Sequence, residues 1–109
     1  MAVGNGRQAG GGHQLCPAAI LNDGLLDVRL LPQLPNDEIP EVLSALLRQG
    51  TDAIRSNVIS ARHPWLEIDA DEPLQINLDG EPIAETRFRF DAVPRRLRMK
   101  LPRDCALLA

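Results

Sequence analysis

Aromatic residues are scarce in this chain: 109 residues include two Phe, one Trp and no Tyr. None of them interleaves with the basic stretch at residues 95–103, and the net charge is −3. A cationic groove that stacks bases is therefore not expected, and nucleic acid is excluded as a partner. Cysteine is scarce too. Cys16 and Cys105 lie far apart without a secretory context, so they read as small buried hydrophobes rather than a disulfide framework. His13 and His63 have no partner at metal-ligand spacing, which argues against zinc. No run approaches the roughly 18 apolar residues of a membrane span. Met1-Ala2-Val3 leads straight into glycines, without the apolar segment of a signal peptide. The expected location is the cytoplasm.

What is present describes one globular domain. Apolar content is 44% and charged content 25%, the balance of a soluble protein, and the length suits a single core. The charge is uneven. Arg87, Arg89, Arg95, Arg96, Arg98, Lys100 and Arg103 crowd the last quarter, opposed beyond Arg87 only by Asp91 and Asp104. Two readings stand: a solvated face balanced by acidic neighbours elsewhere, or a surface drawn to anionic lipid headgroups at a membrane periphery.

The pattern predicts short strands and one helix. The glycines from Gly4 to Gly12 read as a loop after a strand stump ending near Val3. Leu25 to Leu31 alternates as a strand, with Leu26, Val28 and Leu30 on one face and Asp27 and Arg29 opposite; Pro32 and Pro35 close it. The helix spans about residues 37–49, where Ile39, Val42, Leu43, Leu46 and Leu47 recur at helical spacing. Asp37 is its expected N-cap, Pro40 falls in the first turn and Gly50 in the C-cap position. Glu38 and Glu41 at its start and Arg48 at its end suit the helix dipole. Strands follow at Arg55–Arg62, Trp65–Asp69, the arms of a hairpin (Leu74–Leu78 and Ile83–Phe90) and Arg95–Leu101, with turns at His63-Pro64, Asp71-Glu72-Pro73 and Val93-Pro94. The expected fold is mainly β, an antiparallel sandwich or barrel-like domain with one α-helix.

Three motifs bear on chemistry. Gly4-Asn-Gly-Arg-Gln-Ala9 matches the dinucleotide-binding spacing, but no helix begins within it and more glycines follow, so the match is rejected. Ile20-Leu-Asn-Asp-Gly-Leu25 is an Asp-Gly turn. Asp23 either bonds its own backbone or joins exposed turn carbonyls in ligating a hard cation. Asn77-Leu-Asp-Gly-Glu-Pro82 places two carboxylates around a glycine at a hairpin tip, because a type I′ turn needs two residues that tolerate positive φ. On spacing alone this is a solvated turn or a site for a reactive carboxylate.

These motifs, with Val3-Gly-Asn-Gly-Arg-Gln-Ala-Gly-Gly-Gly12, Leu15-Cys-Pro-Ala-Ala19, Leu21-Asn-Asp-Gly-Leu-Leu26 and the closing Leu101-Pro-Arg-Asp-Cys-Ala-Leu-Leu108, run in order nearly from end to end. Together they resemble the C-terminal domain of bacterial YegS-like lipid kinases, in the wider diacylglycerol kinase and NAD kinase superfamily. The helix and the loop around Gln49 to Val58 match only in character. The resemblance implies a C-terminal β-sandwich on the acceptor side, with ATP bound mainly by an N-terminal α/β domain that this sequence does not contain. Met1 is then expected to be an artificial or misassigned start. By residue, it implies that Glu81 accepts the proton of a lipid hydroxyl. It likewise implies that Asp23, with the carbonyls of Ile20 and Leu25, ligates Mg²⁺ or Ca²⁺ in a regulatory, structural or catalytic role. Asp79 becomes a turn former supporting Glu81. The implied activity is an ATP-dependent lipid kinase acting on phosphatidylglycerol or diacylglycerol. Its partners are the lipid, a peripheral membrane surface and the N-terminal domain. A non-catalytic sandwich that binds lipid or protein, self-associating as a homodimer through an uncovered apolar face, is the alternative from another class. A nucleotide-phosphorylating relative of the NAD kinases is a third.

Overall fold

The computed structural model describes residues 1–109, apart from the side chains of residues 53, 55 and 56. The chain is mainly β with one α-helix, as its alternation predicts, and every sheet is antiparallel. Strands β1 (Ala2–Gly4), β4 (Leu26–Leu30) and β5 (Ile59–His63) form a three-stranded sheet with β4 at its centre. Strands β2 (Gln8–Ala9) and β3 (His13–Gln14) form a small hairpin around Gly10–Gly12, inside the stretch expected to be loop. Its three glycines all take positive φ, which side-chain-bearing residues rarely adopt. The third sheet is a long hairpin of β6 (Trp65–Leu78) and β7 (Glu81–Asp91).

Helix α1 (Ile39–Gln49) occupies the predicted position, but its start differs. Glu38 rather than Asp37 is the N-cap residue, and it makes no side-chain cap bond. Gly50 does terminate the helix, donating its N–H to the Leu46 carbonyl at 2.9 Å. Only glycine fits there: φ is +77°, and a Cβ would lie 2.6 Å from the Gln14 carbonyl oxygen. The apolar stripe of α1 is unexpectedly open. None of its residues is buried. With Leu31, Pro32 and Leu34 it forms the wall of a shallow apolar groove.

Three strand expectations are corrected. Residues 51–57 form 3-10 turns kinked at Ile54, so the strand expected from Arg55 begins at Ile59. Asp71-Glu72-Pro73 is not a turn between two strands. It is a bulge within β6, where the register passes from Asp69 opposite Arg87 to Leu74 opposite Glu85. A bulge leaves residues unpaired, so Pro73, which has no N–H to give, is tolerated there. Arg95–Leu101 forms no strand at all. Its alternating Leu97 and Met99 are exposed, Leu97 to 81%. Alternation without a partner edge does not make a strand.

The tail instead closes over the loop between β3 and β4. Leu21 N–H donates to the Leu107 carbonyl at 2.8 Å, and Ala109 N–H to Asn22 Oδ1 at 2.8 Å. Arg7 bridges the two segments, donating to the Ala19 carbonyl at 3.0 Å and the Ala106 carbonyl at 2.6 Å. The buried core includes Cys16, Ala19, Leu26 and Val28. Cys16 is buried as expected, whereas Cys105 is only half-buried; both are free thiols.

Candidate functional site

Asp23 sits in the turn that feeds β4, under the closing tail. Gly24 takes φ +74°, and Asp23 Oδ1 accepts the Leu25 N–H at 2.9 Å, the local bond that turn aspartates favour. Its other oxygen, Oδ2, accepts from Nη2 of Arg62 on β5. Arg62 also reaches Asp27, with which it is paired in register across β4 and β5: Nε lies 3.5 Å from Asp27 Oδ2.

Asp27 lies, as expected, on the face of its strand opposite Leu26, Val28 and Leu30, where a charged residue would ordinarily meet solvent. It is instead 2% exposed. Alternation assigned the face correctly, but β4 is the central strand and the loop with Cys16 covers that side, so both faces are enclosed. The Cys16 thiol donates to the Asp27 carbonyl at 3.6 Å. Burial pushes that thiol's pKa up, and the Asp27 charge adds to the rise. Asp27 Oδ2 has no hydrogen-bond partner among the described residues; the contact with Arg62 is an ion pair without hydrogen-bond geometry. Two carboxylates thus share one guanidinium.

Neither Asp27 nor Arg62 stood out in the sequence as a site residue. The available signal was an aspartate four residues beyond Asp23, on a strand otherwise rich in buried residues. Among the described residues no group of three or more His, Cys, Asp and Glu side chains is placed to hold a metal. The donor that the structure shows at this turn is the Asp23 carboxylate, an oxygen ligand. Carboxylate oxygens suit a hard divalent cation on chemical grounds, and the orphaned Oδ2 of Asp27 stands beside the same guanidinium.

Glu81 lies elsewhere. The Asp79-Gly80 pair forms the two-residue loop between β6 and β7, with φ of +48° and +100°, the signs a type I′ turn needs. Asn77 Oδ1 accepts the Gly80 N–H at 2.7 Å and braces the loop. Glu81 is the first residue of β7, exposed, directly opposite Leu78. Among the described residues its carboxylate makes no hydrogen bond or ion pair. Leu74, Leu78 and Ile83 around it are also exposed. The structure does not bring Glu81 and Asp23 together. Asp23 is bonded to Arg62 at the root of the hairpin, whereas Glu81 is at its tip. The 14 residues of β6 separate them by roughly 40 Å of strand at about 3.3 Å per residue, within a molecule 46 Å long.

The basic quarter divides in two. Arg87 pairs with Asp69 at 2.6 Å, and Arg89 with Glu67 at 2.8 Å and Asp91 at 3.0 Å. Hydrogen bonding to Asp91 and Glu67 raises the Arg89 guanidinium above its usual value, and Asp69 does the same for Arg87. Arg89 also lies 5.0 Å from the Trp65 ring centroid. Phe88 and Phe90 alternate with these arginines but occupy the opposite face, opposite Ile68 and Leu66, with ring centroids 6.3 Å apart. Arg95, Arg96, Arg98, Lys100 and Arg103 form no ion pair among the described residues. No helix is long and apolar enough to cross a membrane. The Gly4–Ala9 run joins β1 to β2 and no helix starts in it, which disposes of the dinucleotide pattern.

Comparison with known proteins agrees along the length of the chain. Probable lipid kinase YegS-like of Stenotrophomonas maltophilia is 51% identical over 109 residues, covering 99% of this chain and 35% of that protein. The protein of the same name from Xanthomonas oryzae pv. oryzae is 51% identical with the same coverage. That of Pectobacterium atrosepticum is 47% identical over 108 residues, 99% of this chain and 34% of its own length. The chain therefore spans about a third of the length of these relatives. The family model described as YegS C-terminal NAD kinase beta sandwich-like domain matches residues 1–101. The chain belongs to this YegS C-terminal domain family.

Proposed function

We propose that this chain is the acceptor-side portion of an ATP-dependent lipid kinase, with Glu81 as general base toward the hydroxyl of phosphatidylglycerol or diacylglycerol. The relatives are named probable lipid kinases. The observation that carries the role of Glu81 is its freedom: an exposed carboxylate, without a partner among the described residues, at the first position of a strand. A carboxylate already committed to an ion pair would have to give that up before accepting a proton. Phosphoryl transfer asks the protein mainly for positioning and one base aimed at the nucleophile. Leu78 directly across and Ile83 two residues on offer apolar contact to the glycerol end of a lipid. The unpaired cations of residues 95–103 suit an anionic lipid surface. ATP would be held mainly by the longer portion that the relatives possess.

Asp23, with the carbonyls of Ile20 and Leu25, would hold Mg²⁺ or Ca²⁺, which supplies positive charge at this turn. Its separation from Glu81 favours a structural or regulatory role over a direct one at the transferring phosphate. The alternative, a non-catalytic lipid- or protein-binding module, draws on the open apolar stripe of α1. The test is Glu81→Gln in the intact kinase: turnover should fall about 10²–10⁴-fold, the usual worth of a positioned base. Turnover within tenfold of the parent would remove Glu81 from the mechanism.

A further inference from the structure

The Asp23 turn holds one guanidinium between two carboxylates of unequal standing. Asp23 Oδ2 receives a hydrogen bond from Arg62, whereas Asp27 Oδ2, on a side chain almost fully buried, receives none although Arg62 Nε is 3.5 Å away. A buried anionic oxygen without a donor is costly, and a short move of the donor would relieve it. Arg62 can make that move. It lies on β5, an edge strand of the sheet, and its side chain is 39% exposed.

We propose that Arg62 is a displaceable internal cation that competes with a divalent metal ion for Asp23 and withdraws onto Asp27 when the metal binds. The proposal rests on Asp23 being the metal ligand. Asp23 Oδ1 is engaged by the Leu25 N–H, so Oδ2 is the oxygen turned toward an incoming ion, and Nη2 of Arg62 occupies that position. A Ca²⁺ or Mg²⁺ ion bound at about 2.0–2.6 Å from the oxygen would meet a like charge there. Both cations cannot hold Oδ2. Closing the gap between Nε and Asp27 Oδ2 to the about 2.8 Å of a charge-assisted hydrogen bond needs less than 1 Å of travel. Two carboxylates then face a divalent ion and a guanidinium, and the orphaned oxygen gains its donor. Metal occupancy is thereby linked to the side chain that joins β5 to the central strand. By linkage, whatever strengthens the Arg62–Asp27 pair strengthens metal binding.

Calorimetric titration of the intact protein with Ca²⁺ and with Mg²⁺ tests this. Arg62→Gln should tighten binding about tenfold or more, within the range of a competitive coupling at one site. Asp27→Asn, which removes the second seat, should weaken it several-fold. In the Arg62→Gln background the Asp27→Asn penalty should shrink to about twofold, because no guanidinium remains to be rehoused. The Nε–H resonance of Arg62 should shift on metal addition, and this readout does not require any variant to fold. Loss of binding in Asp23→Ala with unchanged or weaker binding in Arg62→Gln would overturn the displacement and leave the Asp23 site standing. Full binding in Asp23→Ala would overturn both.

Discussion

The two Asp-Gly turns of this chain are alike in sequence and opposite in construction. The Asp23-Gly24 turn is tied down from every side: by its own backbone, by Arg62, and by the tail through Leu107 and Ala109. The Asp79-Gly80 turn touches only its own hairpin, braced by Asn77. An aspartate enclosed by donors can hold a cation or a fold in place. A carboxylate at an open tip can reach something outside the chain. The same dipeptide therefore supports a fixed site at one end and a presented one at the other, and what decides is the surrounding chain.

Exchanging the expected damage is the sharpest way to test this contrast. Glu81→Gln should cost about 10²–10⁴-fold in turnover while leaving the melting temperature of the intact kinase unchanged. Asp23→Ala should do the reverse: the divalent-ion response disappears and about 1–3 kcal/mol of stability goes with the lost charged hydrogen bonds, measured by urea unfolding. Next in size, Gly50→Ala should destabilise by about 3 kcal/mol, from positive φ and a Cβ 2.6 Å from the Gln14 carbonyl. Gly80→Ala keeps open space around it and meets only the φ penalty, about 1 kcal/mol. If the two glycine substitutions cost the same, the tip is more enclosed than described. The smallest effect concerns pH. The Cys16 thiol is held above its usual 9.0 by burial and then by Asp27. The folded state therefore keeps its proton when the unfolded chain has lost it. Stability should be full below pH 9 and decline as pH rises through the folded-state value. Cys16→Ala should flatten that decline in urea midpoints taken from pH 8 to 10.5.

The hairpin tip was legible because a two-residue turn is decided by the two residues in it. The helix was legible from its period, and Gly50 from its position. What the pattern missed depends on residues distant in sequence. Asp27 alternates as a solvent-facing residue, and only the loop with Cys16 on one side and strands on both edges encloses it. Leu97 and Met99 alternate as well as Leu26 and Val28 do, but no strand edge is offered to them. Pro73 reads as the end of a strand, yet the long β7 opposite keeps β6 paired on either side of it. The residue types at Asp23 and Glu81 were open to inspection. Their separation was not, since it required knowing that β6 runs unbroken.

The bulge in β6 also decides which of its residues share a face with Glu81. From Asp69 to Leu74 β6 advances five residues while β7 advances two, from Arg87 to Glu85. The difference, 5 − 2 = 3, is odd, and side chains change sides at every step of a strand. Across the bulge odd-numbered residues of β7 therefore exchange odd-numbered partners for even-numbered ones. Continued without it, the pairing of Asp69 with Arg87 would set Glu81 against Gln75. With it, Glu81 meets Leu78 and shares a face with Leu74, Ile76 and Ile83. Through this odd-length insertion the hairpin face that carries Arg87 and Arg89 at the root carries Leu74, Ile76 and Leu78 of β6 beside Glu81 at the tip.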